Sequence, residues 1–404
     1  MNVHFRHADE NQLHNARSFR RAPDAGESAS LLAEIATAPC SFGPAPADLP
    51  LALYGAGSLG RLAREFLRAT GQEVALVIDR DASRISQESY WANVPLLHPD
   101  DVPEDARRGL RVAVCVATAP FAPIEQSLAA LGFRHIVPFY DLAESFRHLH
   151  PLPNGWFAPP LFRQEQNYTA EILARWADDM SRAHHLQFIA WRRLREEWTF
   201  AMPPPPDCDR FFIPEIAGAL RGDETFVDAG AHHGSVIEAF LRRTNRGFRK
   251  IIAVEPDAAN RARLAQQLNF LLPSYPGVGI LDVALGEYET DAPFCAGLGH
   301  ASQLSSIGRT KVPVRPLDRF DLSPSFVKLH LEGGELSALK GARRTLLTHR
   351  PIVAVTVYHN ADGIWRTPLW LMHTLPDYRF LFRAHSWCGT DAVVYAIPNE
   401  RCAD

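Results

Sequence analysis

The chain lacks an excess of either charge. Its 42 Lys and Arg residues against 46 Asp and Glu leave a formal net charge of −4. A protein that grips a phosphate backbone favours a basic face, so nucleic acid is excluded as a partner. No run of 18 or more apolar residues occurs, and no membrane span is expected. The first 30 residues are rich in Arg, Asp, Glu and His and hold no apolar core of a secretory signal. Their composition predicts a leader without fixed structure. The six cysteines (Cys40, Cys115, Cys208, Cys295, Cys388 and Cys402) form no C-x-x-C pair. Cys115 sits in an apolar run and reads as a buried thiol. A reduced, cytoplasmic protein is the simplest expectation.

What is present suits a globular chain of two or three domains: 404 residues, 46% apolar and 22% charged. A polar leader is expected over 1–50, with a short helix over 31–37 and a loop marked by Pro44, Pro46 and Pro50. LALY at 51–54 reads as a buried strand, GAGSLG at 55–60 as a turn, and 61–70 as a helix ended by Gly71. VALVI at 74–78 is the next strand, closed by Asp79, and 111–117 and 136–137 supply two more. Strands alternating with helices predict a parallel sheet covered on both faces, here a Rossmann-like domain over 51–149. A connector over 150–208 follows. Pro151, Pro153, Pro159 and Pro160 make its first part extended, and 165–200 reads as helical, with Trp176, Met180, Trp191 and Trp198 at roughly helical spacing. MPPPP at 202–206 ends the helix and serves as a linker. A second α/β domain is expected over 209–404. The fold class is therefore α/β, with two Rossmann-like, doubly wound parallel-sheet domains joined by a helical connector.

The second domain opens with the most informative stretch. FVDAGAHHG at 226–234 is an apolar run ending in Asp228, then a glycine turn. A second apolar run, IIAVE, ends in Glu255, 27 residues after Asp228, which is about one β-α-β unit. Gly230 and Gly234 let backbone approach a ligand, and Glu255 at the strand tip can accept from a ribose diol. His232 and His233 sit where they can line a site. The turn reads D-x-G-x-x-x-G and lacks the G-x-G-x-x-G spacing that suits a pyrophosphate. That points from NAD towards S-adenosylmethionine. Asp228 is expected to bind this cofactor by orienting the turn or the ammonium at its methionine end.

Several further runs occur in order: VALG at 283–286, VKLHLEGGE at 327–335, LKGA at 339–342, VYH at 357–359, YRF at 378–380 and AVVY at 392–395. Together with DAGAHHG and Glu255-Pro256 they resemble the FkbM family of methyltransferases, from about residue 210 to about 398. The resemblance implies a class I, S-adenosylmethionine-dependent O-methyltransferase domain acting on hydroxyls of sugars, glycans or natural products. It also implies that Asp282 meets the adenine ring. The family usually has Asp where this chain has His330.

Transfer to oxygen needs an in-line approach and a base for the hydroxyl proton. His330 follows an expected strand end and titrates near neutrality, so it is the first candidate base. His359 is the second. Glu332, with Lys328 and Glu335, is expected to orient substrate or imidazole. His330, Glu332 and His359 also make a conceivable ligand set for a divalent ion, yet no tight ligand spacing supports one, and none is expected. In the first domain Gly55-x-Gly57-x-x-Gly60, with Asp79 24 residues after Gly55, fits a dinucleotide fingerprint. Residues 55–95 also resemble small Rossmann domains fused to sugar-modifying acyltransferases. A nucleotide or nucleotide sugar is therefore the expected ligand there. Two other readings stand beside the methyltransferase: an NAD-linked oxidoreductase or epimerase built on the first domain, and a silent binding scaffold, which the histidine at 330 keeps open.

Overall fold

The computed structural model describes residues 13–152, 155–201, 210–271, 273 and 277–402. The expected linker at 202–206, and also Cys208 and Pro153, lie outside these residues. The first domain holds a five-stranded sheet with all strands parallel. Its order across the sheet is Leu96–Leu97, Val74–Ile78, Leu51–Tyr54, Arg111–Val114, His135–Pro138. Every residue of Leu51–Tyr54 and of Arg111–Val114 is buried, as a sheet covered on both faces requires. The helix Ser58–Ala69 turns Gly60, Ala63, Phe66 and Leu67 inward, an i, i+3, i+6, i+7 face.

The second domain holds a seven-stranded sheet in the order Val278–Leu281, Lys250–Val254, Thr225–Ala229, Phe326–Leu329, Ile352–Thr356, Ala392–Pro398, Tyr378–Ala384. It is not wholly parallel. Ala392–Pro398 runs antiparallel to both neighbours. A small four-stranded sheet within 284–315 follows Val278–Leu281 and has no counterpart in the sequence expectations.

In each large sheet the chain starts in the middle, moves out to one edge, and returns to the other side of the first strand. The first switch lies between Leu51–Tyr54 and Arg111–Val114, the second between Thr225–Ala229 and Phe326–Leu329. Ligands of doubly wound sheets gather at such points, outside the carboxyl ends of the strands.

The leader and connector depart from expectation. Residues 16–30 were expected to lack fixed structure. Instead Ala16–Phe19 is a strand paired in parallel with Glu197–Phe200, and Ala25–Thr37 is a helix. The charged residues face water, while Ser28, Leu32 and Ile35 form a buried helical face. Asp24 caps that helix by accepting from Glu27 N at 2.9 Å, and Glu27 returns the bond to Asp24 N at 3.1 Å. This reciprocal cap is readable as D-x-x-E. Asp24→Ala should cost about 1 kcal/mol of stability, seen as a lower denaturant midpoint at unchanged slope; an unchanged midpoint would count against the cap.

The stretch 165–200 is two helices and a strand. Arg163–Arg175 ends at Trp176, and Asp178 caps Asp179–Leu194 by accepting from Ser181 N at 2.7 Å. Trp198 belongs to the strand Glu197–Phe200. The connector binds both domains. Arg195, 1% exposed, pairs with Asp141 of the first domain at 3.0 Å. Fully buried Arg192 donates to Tyr358 O of the second at 2.9 Å. Among the described residues no helix is long and apolar enough to cross a membrane.

Candidate active site

The glycine turn after Thr225–Ala229 is held from below. Asp228 is fully buried and pairs with Lys328 at 2.8 Å. The same ammonium donates to Gly230 O at 2.8 Å. Burial raises the Asp228 carboxyl while Lys328 pulls it back down. Asp228 therefore orients the turn and lines no cavity described below. The glycines carry a structural constraint beyond the expected approach to a ligand. A Cβ on Gly230 would lie 1.9 Å from the His330 carbonyl oxygen, and one on Gly234 would lie 3.0 Å from Leu264 Cδ1. With φ at +74° and +90°, both are also required by turn conformation and close packing, and Gly230 lines the cavity beside the turn.

Glu255 is buried beside the turn. Its two oxygens accept from His232 N at 2.8 Å and Asp257 N at 3.0 Å, and burial raises its carboxyl. A narrow cavity opens here, with room for about 70 Å³, lined among others by Gly230, Glu255, Val283, His300, His330 and Glu332. Asp282 is exposed and absent from this lining; its neighbour Val283 is buried and faces the cavity. The expectation that Asp282 meets the adenine ring thus gains no support from its position. His232 and His300 stack in this cavity at 3.8 Å, and His233 lies 3.5 Å from His232. Burial, then the neighbouring imidazoles, lowers His232 to about 3, so the stack is uncharged.

The strand Phe326–Leu329 delivers His330 to the site, and the next turn carries Glu332 at φ +50° and Gly333 at φ +105°. A non-glycine residue held in this region costs of order 1–3 kcal/mol, and such strain collects at functional sites. The structure brings His330, Glu332 and His359 together: Glu332 Oε1 lies 3.1 Å from His330 Nε2 and 3.4 Å from His359 Nε2. Buried Glu335 lies 2.9 Å from His359 Nδ1 and accepts from Leu331 N at 3.0 Å and Gly333 N at 2.9 Å. Glu335 thus orients His359 and fixes the turn.

The two imidazoles are shifted in opposite directions. Burial drives His330 well below its ordinary value, with His359, Arg210 and Lys328 adding to the effect. His359 loses to burial but gains more from Glu332 and Glu335, and is held above its ordinary value. Burial raises Glu332. His330 is therefore held towards its neutral form and His359 towards its protonated form. Lys328, read as a partner for substrate or His330, serves Asp228 instead.

A second, wider cavity of about 580 Å³ opens on the other side of this cluster. Its wall includes Tyr358, whose hydroxyl reaches His330 Nε2 at 3.2 Å, and an Arg210–Asp391 ion pair. Trp156 and Tyr140, stacked at 3.9 Å, add an aromatic face. Gly55, Gly57 and Asp79 of the first domain line it too, whereas Gly60 packs against the Gly55 carbonyl, 2.0 Å from where a Cβ would lie. Arg210, Asp391, His300 and Trp156 went unread in the sequence, where none stands in a motif; Tyr358 was visible only as part of VYH.

His330, Glu332, His359 and Asp391 converge on an open cavity at strand ends of a doubly wound α/β sheet, the place where ligands of such folds gather. Residues 228–385 match the methyltransferase FkbM domain, and this part of the chain is an FkbM methyltransferase domain. The crystal structure of methyltransferase FkbM from Methylobacillus flagellatus KT matches with TM-score 0.60 at 20% identity, covering 92% of this chain and 98% of that one. Precorrin-6y C5,15-methyltransferase from Geobacter metallireducens GS-15 matches at TM-score 0.30 and 14% identity, over 45% of this chain and 83% of that one. The SAH-bound methyltransferase PaMTH1 from Podospora anserina matches at TM-score 0.31 and 11% identity, over 60% of this chain and 89% of that one. No curated protein matches.

Proposed function

We propose that the protein methylates a hydroxyl of a sugar, glycan or natural-product acceptor, with S-adenosylmethionine as donor. One observation carries this reading: His300, His330 and Glu332 line both cavities. A donor in the narrow cavity and a hydroxyl in the wide one would meet across these side chains. The residues present suit an adenosyl group. Glu255 keeps lone pairs free for a ribose diol beyond its two backbone bonds, and Val283 and Leu285 give an apolar wall.

When bound, S-adenosylmethionine supplies a methyl group already activated by its sulfonium. The chain then has to align, exclude water and accept one proton. His330 is assigned that proton because it is held towards its neutral form and its Nε2 is within reach of a hydroxyl from the wide cavity, as the Tyr358 hydroxyl illustrates. Glu332 stands 3.1 Å away to stabilise the imidazolium that forms, and His359 and Glu335 keep Glu332 in place. Arg210, Asp391 and the Trp156 face are positioned to hold a polyhydroxylated acceptor.

Calorimetric titration with S-adenosylmethionine tests the donor. Micromolar binding is expected, weakened at least tenfold by Glu255→Ala, roughly 1.4 kcal/mol or more. Absence of binding to the unaltered protein would make the domain a scaffold.

A further inference from the structure

We propose that the acceptor is a nucleoside-diphosphate-linked sugar: the first domain grips its nucleotide end while the sugar hydroxyl reaches His330. This deepens the proposed O-methyl transfer and rests on it. The two switch points open onto one cavity. Gly55, Gly57 and Thr118 stand at the first, His330 and Glu332 at the second, and all five line the same space of about 580 Å³. An extended ligand seated there touches both domains at once, and in each at the place where doubly wound sheets bind ligands.

The first-domain wall carries the parts a diphosphate needs. Gly57 is the N-cap of Ser58–Ala69, and no side chain caps that helix. Its end, with Ser58 and Leu59, therefore presents uncapped donors to the cavity. Gly57 has no atom within 4 Å of a would-be Cβ, so space is kept open where a phosphate would come closest. Asp79, at the tip of Val74–Ile78, accepts from Ala56 N and Asp81 N, each at 2.8 Å. Glu255 of the second domain does the same, accepting from His232 N in the glycine turn and from Asp257 N two residues on. The same carboxylate-on-turn arrangement thus occurs twice in one chain, and in both cases beside a cavity. A carboxylate so placed is suited to a ribose diol.

The same nucleoside diphosphate chemistry also occurs in NAD. The sugar nucleotide is preferred because the far end of the cavity, at His300, His330 and Glu332, is shared with the narrow cavity proposed for the methyl donor.

The test is calorimetry on the full chain with ADP, CDP, GDP, UDP, NAD and NADH, on the unaltered protein and Gly57→Asp. An aspartate fits this N-cap without strain and caps the helix, so the variant should keep its melting temperature. It would also place a negative charge where the phosphates go. We expect at least one diphosphate to bind and to weaken tenfold or more in Gly57→Asp, with S-adenosylmethionine affinity unchanged within twofold. No diphosphate binding, or binding indifferent to Gly57→Asp, would overturn the proposal. So would NAD or NADH binding more tightly than every simple diphosphate, which would assign the turn to a dinucleotide. Loss of S-adenosylmethionine binding in the unaltered protein would instead strike the methyltransferase reading.

Discussion

His330→Ala should lower kcat by about 10²–10⁴, the range a positioned general base supplies, while S-adenosylmethionine binds as before. The pH profile gives a sharper readout. A base works only when unprotonated, so activity should fall as pH drops through its pKa. Burial first, then the charges of His359, Arg210 and Lys328, lowers that pKa well below the ordinary 6.5. The acid limb should therefore lie below pH 6.5, with a plateau across neutrality. In His330→Ala the limb should vanish and the residual rate should rise with hydroxide. His359→Gln should behave differently. His359 is held towards its protonated form between Glu332 and Glu335, so its loss should misplace Glu332 and shift the limb without removing it. An acid limb that persists unchanged in His330→Ala would move the base to Glu332.

This assignment shows where the sequence was legible. A strand end followed by H-L-E pointed to His330 and Glu332 because ligands collect beyond carboxyl ends. The pairing of His359 with them could not be read, since 27 residues separate it from Glu332 and only adjacent parallel strands bring the two together. The upward shift of His359 depends on Glu332 and on Glu335, whose bonds to Leu331 and Gly333 are a matter of turn geometry. The sheets were legible from alternation of apolar runs and glycine turns. The order of the last two strands was not, because an antiparallel insertion such as Ala392–Pro398 leaves no mark on periodicity. The leader misled through composition: its charges are real but face water, while three buried helix positions and the strand pairing with Glu197–Phe200 dock it. The glycines were found for a reason that proved incomplete. Gly230 is needed because the His330 carbonyl lies where a side chain would begin.

The same crowding makes Lys328→Met the most destabilising single change we expect. It removes the only cation paired with fully buried Asp228 among the described contacts, at 2.8 Å, and a donor to Gly230 O. A lone charge left in the interior costs about 3–5 kcal/mol, a large part of the roughly 5–15 kcal/mol that keeps a domain folded. For a domain of this size each kcal/mol moves the melting temperature by roughly 2–4 °C, so a fall of about 6–20 °C is expected. Adding Asp228→Asn should recover much of it, because replacing both partners of a buried pair is far less costly than removing one. Recovery of stability need not restore activity. Gly230 O would still lack the ammonium that fixes the turn, and the turn sets the distance between Glu255 and His330. A melting temperature within 2 °C of the unaltered protein for Lys328→Met alone would mean that Asp228 is carried neutral and that the pair contributes little to the fold.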